Sequence, residues 1–170
     1  MADKGIRLYD KDQIQMYVFG GKGGFLLRSV NTGKEYEYKI NPMSVYNPNF
    51  SEYVFYISQK TEHGSEFLGV LKIDENKYIH SKKSNVMYNS EVIKGILWLL
   101  KQFEIDDEFP VTMEFYHMGI CSCCGKRLTT PLSIEIGIGP ICFERYGNER
   151  LKKLINLKNR IKAKLDKTNA

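Results

Sequence analysis

Residues 117–142 read HMGICSCCGKRLTTPLSIEIGIGPIC, and this stretch holds all four cysteines and one of the three histidines of the 170-residue chain. Cys121 and Cys124 form a Cys-x-x-Cys-Gly-Lys knuckle with Gly125 and Lys126. Two residues between thiolates let one tight turn place both sulfurs about 2.3 Å from a single zinc ion (Zn2+), and a glycine behind the second cysteine permits the positive φ that the turn requires. Cys142 is the third candidate ligand. It follows Gly137-Ile138-Gly139-Pro140, where glycines turn the chain sharply and proline suits the start of a helix, whose dipole favours a thiolate at its first turn.

Structural zinc is four-coordinate, so one more group is required. His117 is the preferred candidate, because it precedes Cys121 at the end of a predicted strand, Val111–Tyr116, that feeds the knuckle. Cys123 is the rival; lying between the two knuckle ligands, its side chain is expected to point away from a metal held by both. His63 and His80 are remote in sequence and read as surface or strand histidines. A redox reading of Cys-x-x-Cys would want the motif to open a helix in an alternating βαβ chain, whereas here Lys126–Pro131 reads as a turn or short strand. With four ligands in place the zinc is structural, and no Ser/His/Asp order, metalloprotease helix or nucleotide fingerprint suggests an enzyme.

The same block resembles the signature of a bacteriophage and prophage zinc-binding family of unknown function, in which a histidine precedes Cys-x-x-Cys-Gly and a Gly-Ile-Gly-Pro-x-Cys ending. The positions that carry the resemblance are His117, Cys121, Cys124, Gly125, Lys126, Leu128, Thr129, Pro131, Ser133, Gly137, Ile138, Gly139, Pro140 and Cys142. It implies a zinc-binding phage protein with His117 among the ligands, working in the cytoplasm of a bacterial host. It implies no activity.

Outward from this block, the upstream chain reads as a β-rich scaffold. Gln13–Phe19, Phe25–Val30, Glu35–Ile40, Glu52–Ser58, Glu66–Ile73 and Tyr78–His80 are the predicted strands, with Tyr36, Tyr38 and Ile40 alternating against Glu35, Glu37 and Lys39. Met1–Asp12 reads as a lead-in, and Gly20–Gly24 as a hairpin turn between strands rather than a phosphate loop, which would need Gly-Lys-Ser/Thr opening a helix. Asn41–Asn49 is a loop, and residues 59–65 are a polar connection. Ser90 caps a predicted helix over 90–104, apolar around most of its circumference and therefore packed on the sheet.

Downstream, residues 145–170 hold nine Lys/Arg against two acidic groups, net +7, while the other 144 residues sum to −2. Leu151, Leu154, Ile155, Leu157, Ile161 and Leu165 recur at helical spacing within this segment, which predicts a basic amphipathic helix over 148–170. Its apolar stripe must be covered by the body or by a second chain, which would make a homodimer. Its cations, Arg150, Lys152, Lys153, Lys158, Arg160, Lys162 and Lys164, offer a phosphate-tracking surface for nucleic acid. Tyr17, Phe25, Tyr36 and Tyr38 are the aromatics weighed as base-stacking partners, although such residues at strand spacing are more often core. The alternative is a protein-interaction module that binds a host protein.

Together these readings predict an α+β chain: a scaffold over residues 1–110 with an antiparallel sheet and one packed helix, a treble-clef-like zinc module over 111–147, and the basic helix over 148–170. The polar N-terminus and the lack of an apolar run of about 18 residues point to a cytoplasmic, non-membrane protein.

Overall fold

The computed structural model describes residues 5–42 and 54–144. Seven strands, β1 (Ile6–Leu8), β2 (Gly24–Ser29), β3 (Glu35–Pro42), β4 (Val54–Thr61), β5 (Gly64–Lys72), β6 (Lys77–His80) and β7 (Met113–His117), make one antiparallel sheet in the order β1-β7-β2-β3-β4-β5-β6. The described helices are α1 (Lys11–Val18), α2 (Glu91–Glu104), α3 (Pro131–Ile136) and the single turn α4 (Pro140–Cys142). The chain is thus α+β, as its patterning predicts. The proposed basic helix over 148–170 lies outside the described residues, as does most of the loop expected over 41–49.

Strand alternation divides the sheet into two unlike faces. Phe25 and Leu27 of β2, Tyr38 and Ile40 of β3, Phe55 and Ile57 of β4, and Phe115 of β7 point to one face and are buried. Helix α1 covers that face with Ile14, Tyr17 and Val18, and α2 covers it with Val92, Ile93, Ile96, Leu99, Leu100 and Phe103. Ser90 occupies the N-cap of α2 in extended backbone, as expected, but its hydroxyl makes no cap hydrogen bond. On the opposite face, register places Arg28 against both Glu35 and Glu114, and Glu37 against Lys60. Arg28 and Arg7 close on Glu114 at 2.8 and 3.1 Å.

Several expectations are corrected. Gln13–Phe19 belongs to helix α1, because the Asp10 side chain accepts the Gln13 N–H at 3.1 Å and caps a turn that buries Ile14, Tyr17 and Val18 at i, i+3 and i+4. Alternation of Ile14, Met16 and Val18 mimics a strand over so short a segment. Residues within the expected lead-in form β1, which pairs with β7. The glycine run consequently joins α1 to β2 rather than strand to strand. The expected polar connection is mostly strand: pairing of β4 with β5 continues to Thr61 against Gly64, leaving Glu62 and His63 at the tip. Thr130 caps α3 where a turn or short strand was expected, its side chain reaching the Ser133 N–H while Ser133 bonds back, with Pro131 in the first turn.

Candidate metal centre

β7 is an inner strand, between β1 and β2, so the cysteine block leaves the sheet from its interior. The chain then folds on itself: Leu128 N donates to Gly119 O, Ile120 bridges Arg127, and Cys121 N donates to Lys126 O at 2.7 Å. Gly125 N closes the tip by donating to Cys121 O at 2.9 Å, and Gly125 takes φ +76°, the left-handed geometry expected of it. Helix α3 follows and ends at Gly137, whose carbonyl accepts Ser122 N–H at 3.0 Å. One turn later Gly139 N–H donates to Cys121 Sγ at 3.3 Å, and Pro140 opens the turn that carries Cys142.

This path brings the Sγ atoms of Cys121, Cys124 and Cys142 within 4.8 Å of one another. Sulfurs bound tetrahedrally at about 2.3 Å would stand about 3.8 Å apart, so the three need close only slightly around an ion. Cys121 and Cys142 are buried and Cys124 is half-buried, in a small apolar cluster with Leu128 and Ile138. A hydrogen bond from the Cys123 thiol pulls the Cys121 pKa far down; burial opposes this, and backbone N–H groups of Gly139, Cys124 and Cys123 add to it. Burial, followed by hydrogen bonds to Cys124 and Cys121, pushes Cys142 up. A cation would displace the remaining thiol protons as it bound.

His117 is not among the residues brought together. Its ring is fully buried and stacked on Tyr17, with centroids 5.1 Å apart. Nδ1 accepts Gly119 N–H at 3.1 Å, which leaves the proton on Nε2, and Nε2–H donates to Ile134 O at 2.6 Å. Both nitrogens are therefore committed to backbone, and burial lowers the pKa so that the neutral ring is favoured. In this arrangement His117 fastens β7 to α3 and stands outside the three-thiol group. The cations of the 148–170 segment, from Arg150 to Lys164, lie outside the described residues.

Two contributors were missed by sequence reasoning. Tyr17, fully buried, sets its hydroxyl 2.9 Å from Ile120 O and 3.1 Å from Gly24 O, so α1 supports the root of the knuckle. The i, i+3, i+4 spacing of Ile14, Tyr17 and Val18 is the signal that points it inward. The glycine run also docks the knuckle: Lys22 N donates to Ser122 O at 2.7 Å, and a Cβ on Gly20 would meet Ser122 atoms at 2.5 Å.

The fold and site define an α+β protein with a three-cysteine cluster positioned to bind a metal ion. Over residues 111–147, which span β7, the knuckle, α3 and α4, the chain is similar to a family of unknown function (DUF6011). No curated protein and no solved structure matches it. No helix among the described residues is long and apolar enough to cross a membrane.

Proposed function

We propose that this chain is a small phage-type accessory protein that binds nucleic acid and uses zinc as a structural clasp. The observation that carries the metal reading is the convergence of three thiols from two separate turns, within 4.8 Å of one another. Soft thiolate donors and tetrahedral geometry favour zinc, and burial of Cys121 and Cys142 suits a closed structural centre rather than a catalytic one. A knuckle followed by a turn that presents the third cysteine is treble-clef-like in plan. Cys123, hydrogen-bonded to Cys121, is the thiol at hand for the fourth position. When bound, zinc would cross-link the knuckle to the α3–α4 turn and orient the chain that leaves Cys142.

What supports nucleic acid as partner is the +7 charge of residues 145–170, carried by Arg150, Lys152, Lys153, Lys158, Arg160, Lys162 and Lys164 among others. The apolar positions between them support a second reading, docking on a host protein or on a second copy of the chain. Salt titration separates the two: affinity for generic DNA that falls steeply between low and physiological salt supports the first, and no DNA binding at low salt removes it. Metal analysis of the purified protein tests the clasp, with one zinc per chain expected.

A further inference from the structure

We infer that the face of the sheet opposite α1 and α2, centred on Tyr56 and Phe67, is a stacking platform for single-stranded nucleic acid. This site rests on the nucleic-acid reading above and locates it on the described body of the protein.

Tyr56 is 36% exposed although its strand neighbours Phe55 and Ile57 are buried, so its ring stands on the face the helices leave open. Phe67 packs edge-to-face against it, with centroids 5.5 Å apart. The two rings, with Asn41, Ser58, Ser81 and Lys83, line an open groove of about 490 Å³ that no acidic residue among those described borders. Lys83 is the cation that lines the groove, and register, with Lys39 opposite Ser58 and Lys60 opposite Glu37, sends both of these lysines from the same face of the sheet as the rings. Lys39 Nζ donates to the main-chain carbonyl of Lys22 at 2.9 Å. Burial, then the charges of Lys22 and Lys60, lower the Lys39 pKa.

Lys60 has Glu37 at 3.5 Å, but neither Lys39 nor Lys83 has a carboxylate partner among the described residues. The other half of the face differs: Arg7 and Arg28 share Glu114, and Arg28 also reaches Glu35. Cationic charge is therefore paired with carboxylates at the β1–β7–β2 end, whereas Lys83 in the groove and Lys39 on the same face have no carboxylate partner among the described residues. Rings that offer a π-face, hydroxyl and amide groups for base edges, and lysines for phosphates together match an unpaired strand. A duplex hides its base faces, and a sheet face offers no helix for its major groove.

The test uses the full-length, zinc-loaded protein and a fluorescent oligothymidylate of about 12 nucleotides, within the span one such domain covers. The parent should bind it in preference to a duplex of equal length. Tyr56→Ala should weaken binding about tenfold or more, the loss of one base stack, while Tyr56→Phe binds as the parent does. Lys39→Gln and Lys83→Gln should each reduce the salt dependence. Thermal melts establish that the variants fold, and Tyr56→Thr, a good strand former, replaces the alanine variant if it does not. Parental binding unchanged by Tyr56→Ala and Phe67→Ala overturns the platform and leaves the nucleic-acid reading to the C-terminal cations. Failure of the parent to bind at low salt overturns both.

Discussion

His117 and Ile134 are joined by a 2.6 Å hydrogen bond from imidazole Nε2–H to the backbone carbonyl, which ties an inner strand of the sheet to α3. Because Nδ1 is occupied by Gly119 N–H, the ring acts as a two-ended brace between backbone groups on either side of the knuckle. His117→Ala strands the Ile134 carbonyl and Gly119 amide in a buried site, at a cost of about 1–3 kcal/mol for each left unpaired. The expected result is a lower melting temperature with one zinc still bound per chain. Loss of stoichiometric zinc on elemental analysis would instead make His117 a ligand.

The same brace sets a pH dependence. Burial depresses the His117 pKa below its ordinary value of 6.5, so folding favours the neutral ring. Its contribution is complete above the unfolded pKa and is lost as pH falls toward the folded pKa, because the unfolded chain then binds the extra proton. The parent should therefore lose stability below about pH 6.5 more steeply than His117→Gln, which cannot titrate. Parallel stability curves for the two proteins would contradict this.

Cys121→Ser, Cys124→Ser and Cys142→Ser are each expected to abolish stoichiometric zinc, since each removes one of the three converging thiols and Cys123, already taken as the fourth donor, cannot replace it. Cys142→Ser should also release the chain beyond it to limited proteolysis while the sheet resists. Cys123→Ser should leave zinc bound but more easily stripped by a chelator. Zinc content of the Cys121, Cys124 or Cys142 variant equal to that of the parent would refute the ligand set.

Much of the sheet is readable from the sequence because single-sided burial forces alternation, as in Tyr36, Tyr38 and Ile40, and turn residues such as Asp74–Lys77 mark its hairpins. The convergence of Cys121, Cys124 and Cys142 is readable for a local reason too, since spacing and glycines determine what a tight turn can do. The errors share another origin. Helix α1 spans two turns, too few for the i, i+3, i+4 spacing of Ile14, Tyr17 and Val18 to outvote the alternation of Ile14, Met16 and Val18, even with the cap at Asp10. The three-residue β1 is a strand because β7 is beside it, a long-range fact that local pattern does not encode. The sequence offers His117 to the metal only through its proximity to Cys121. Its partners, Ile134 and Tyr17, are set by how α3 and α1 pack, and this is legible only in three dimensions.

Gly20 makes the docking of the knuckle testable without touching a thiol. A Cβ there would meet Ser122 O, a backbone atom, as well as its side chain at 2.5 Å, so the knuckle must move away from the glycine run. Gly20→Ala should speed zinc loss to a chelator and lower the melting temperature, with the cysteines intact. Retention kinetics equal to the parent would show that the contact between the glycine run and Ser122 does not support the centre.

The buried residues fall into two clusters, a large one between the sheet and helices α1 and α2, and a small one of Leu128, Ile138, Cys121 and Cys142 around the thiols. The large cluster owes nothing to metal, whereas the small one has two apolar side chains buried beside the cysteines, far too little apolar area to offset the chain entropy of two loops. Chelation should therefore not unfold the protein as a whole. Far-ultraviolet circular dichroism is expected to keep its β signal after zinc removal, while amide exchange rises over residues 119–142 and stays slow in β2, β3 and β4. Hydrogen exchange followed by mass spectrometry reads both regions at once. Uniform acceleration across the sheet would mean that the ion stabilises the whole fold, whereas no change at the knuckle would mean that its backbone hydrogen bonds, from Cys121 N to Lys126 O and from Gly125 N to Cys121 O, hold it without metal.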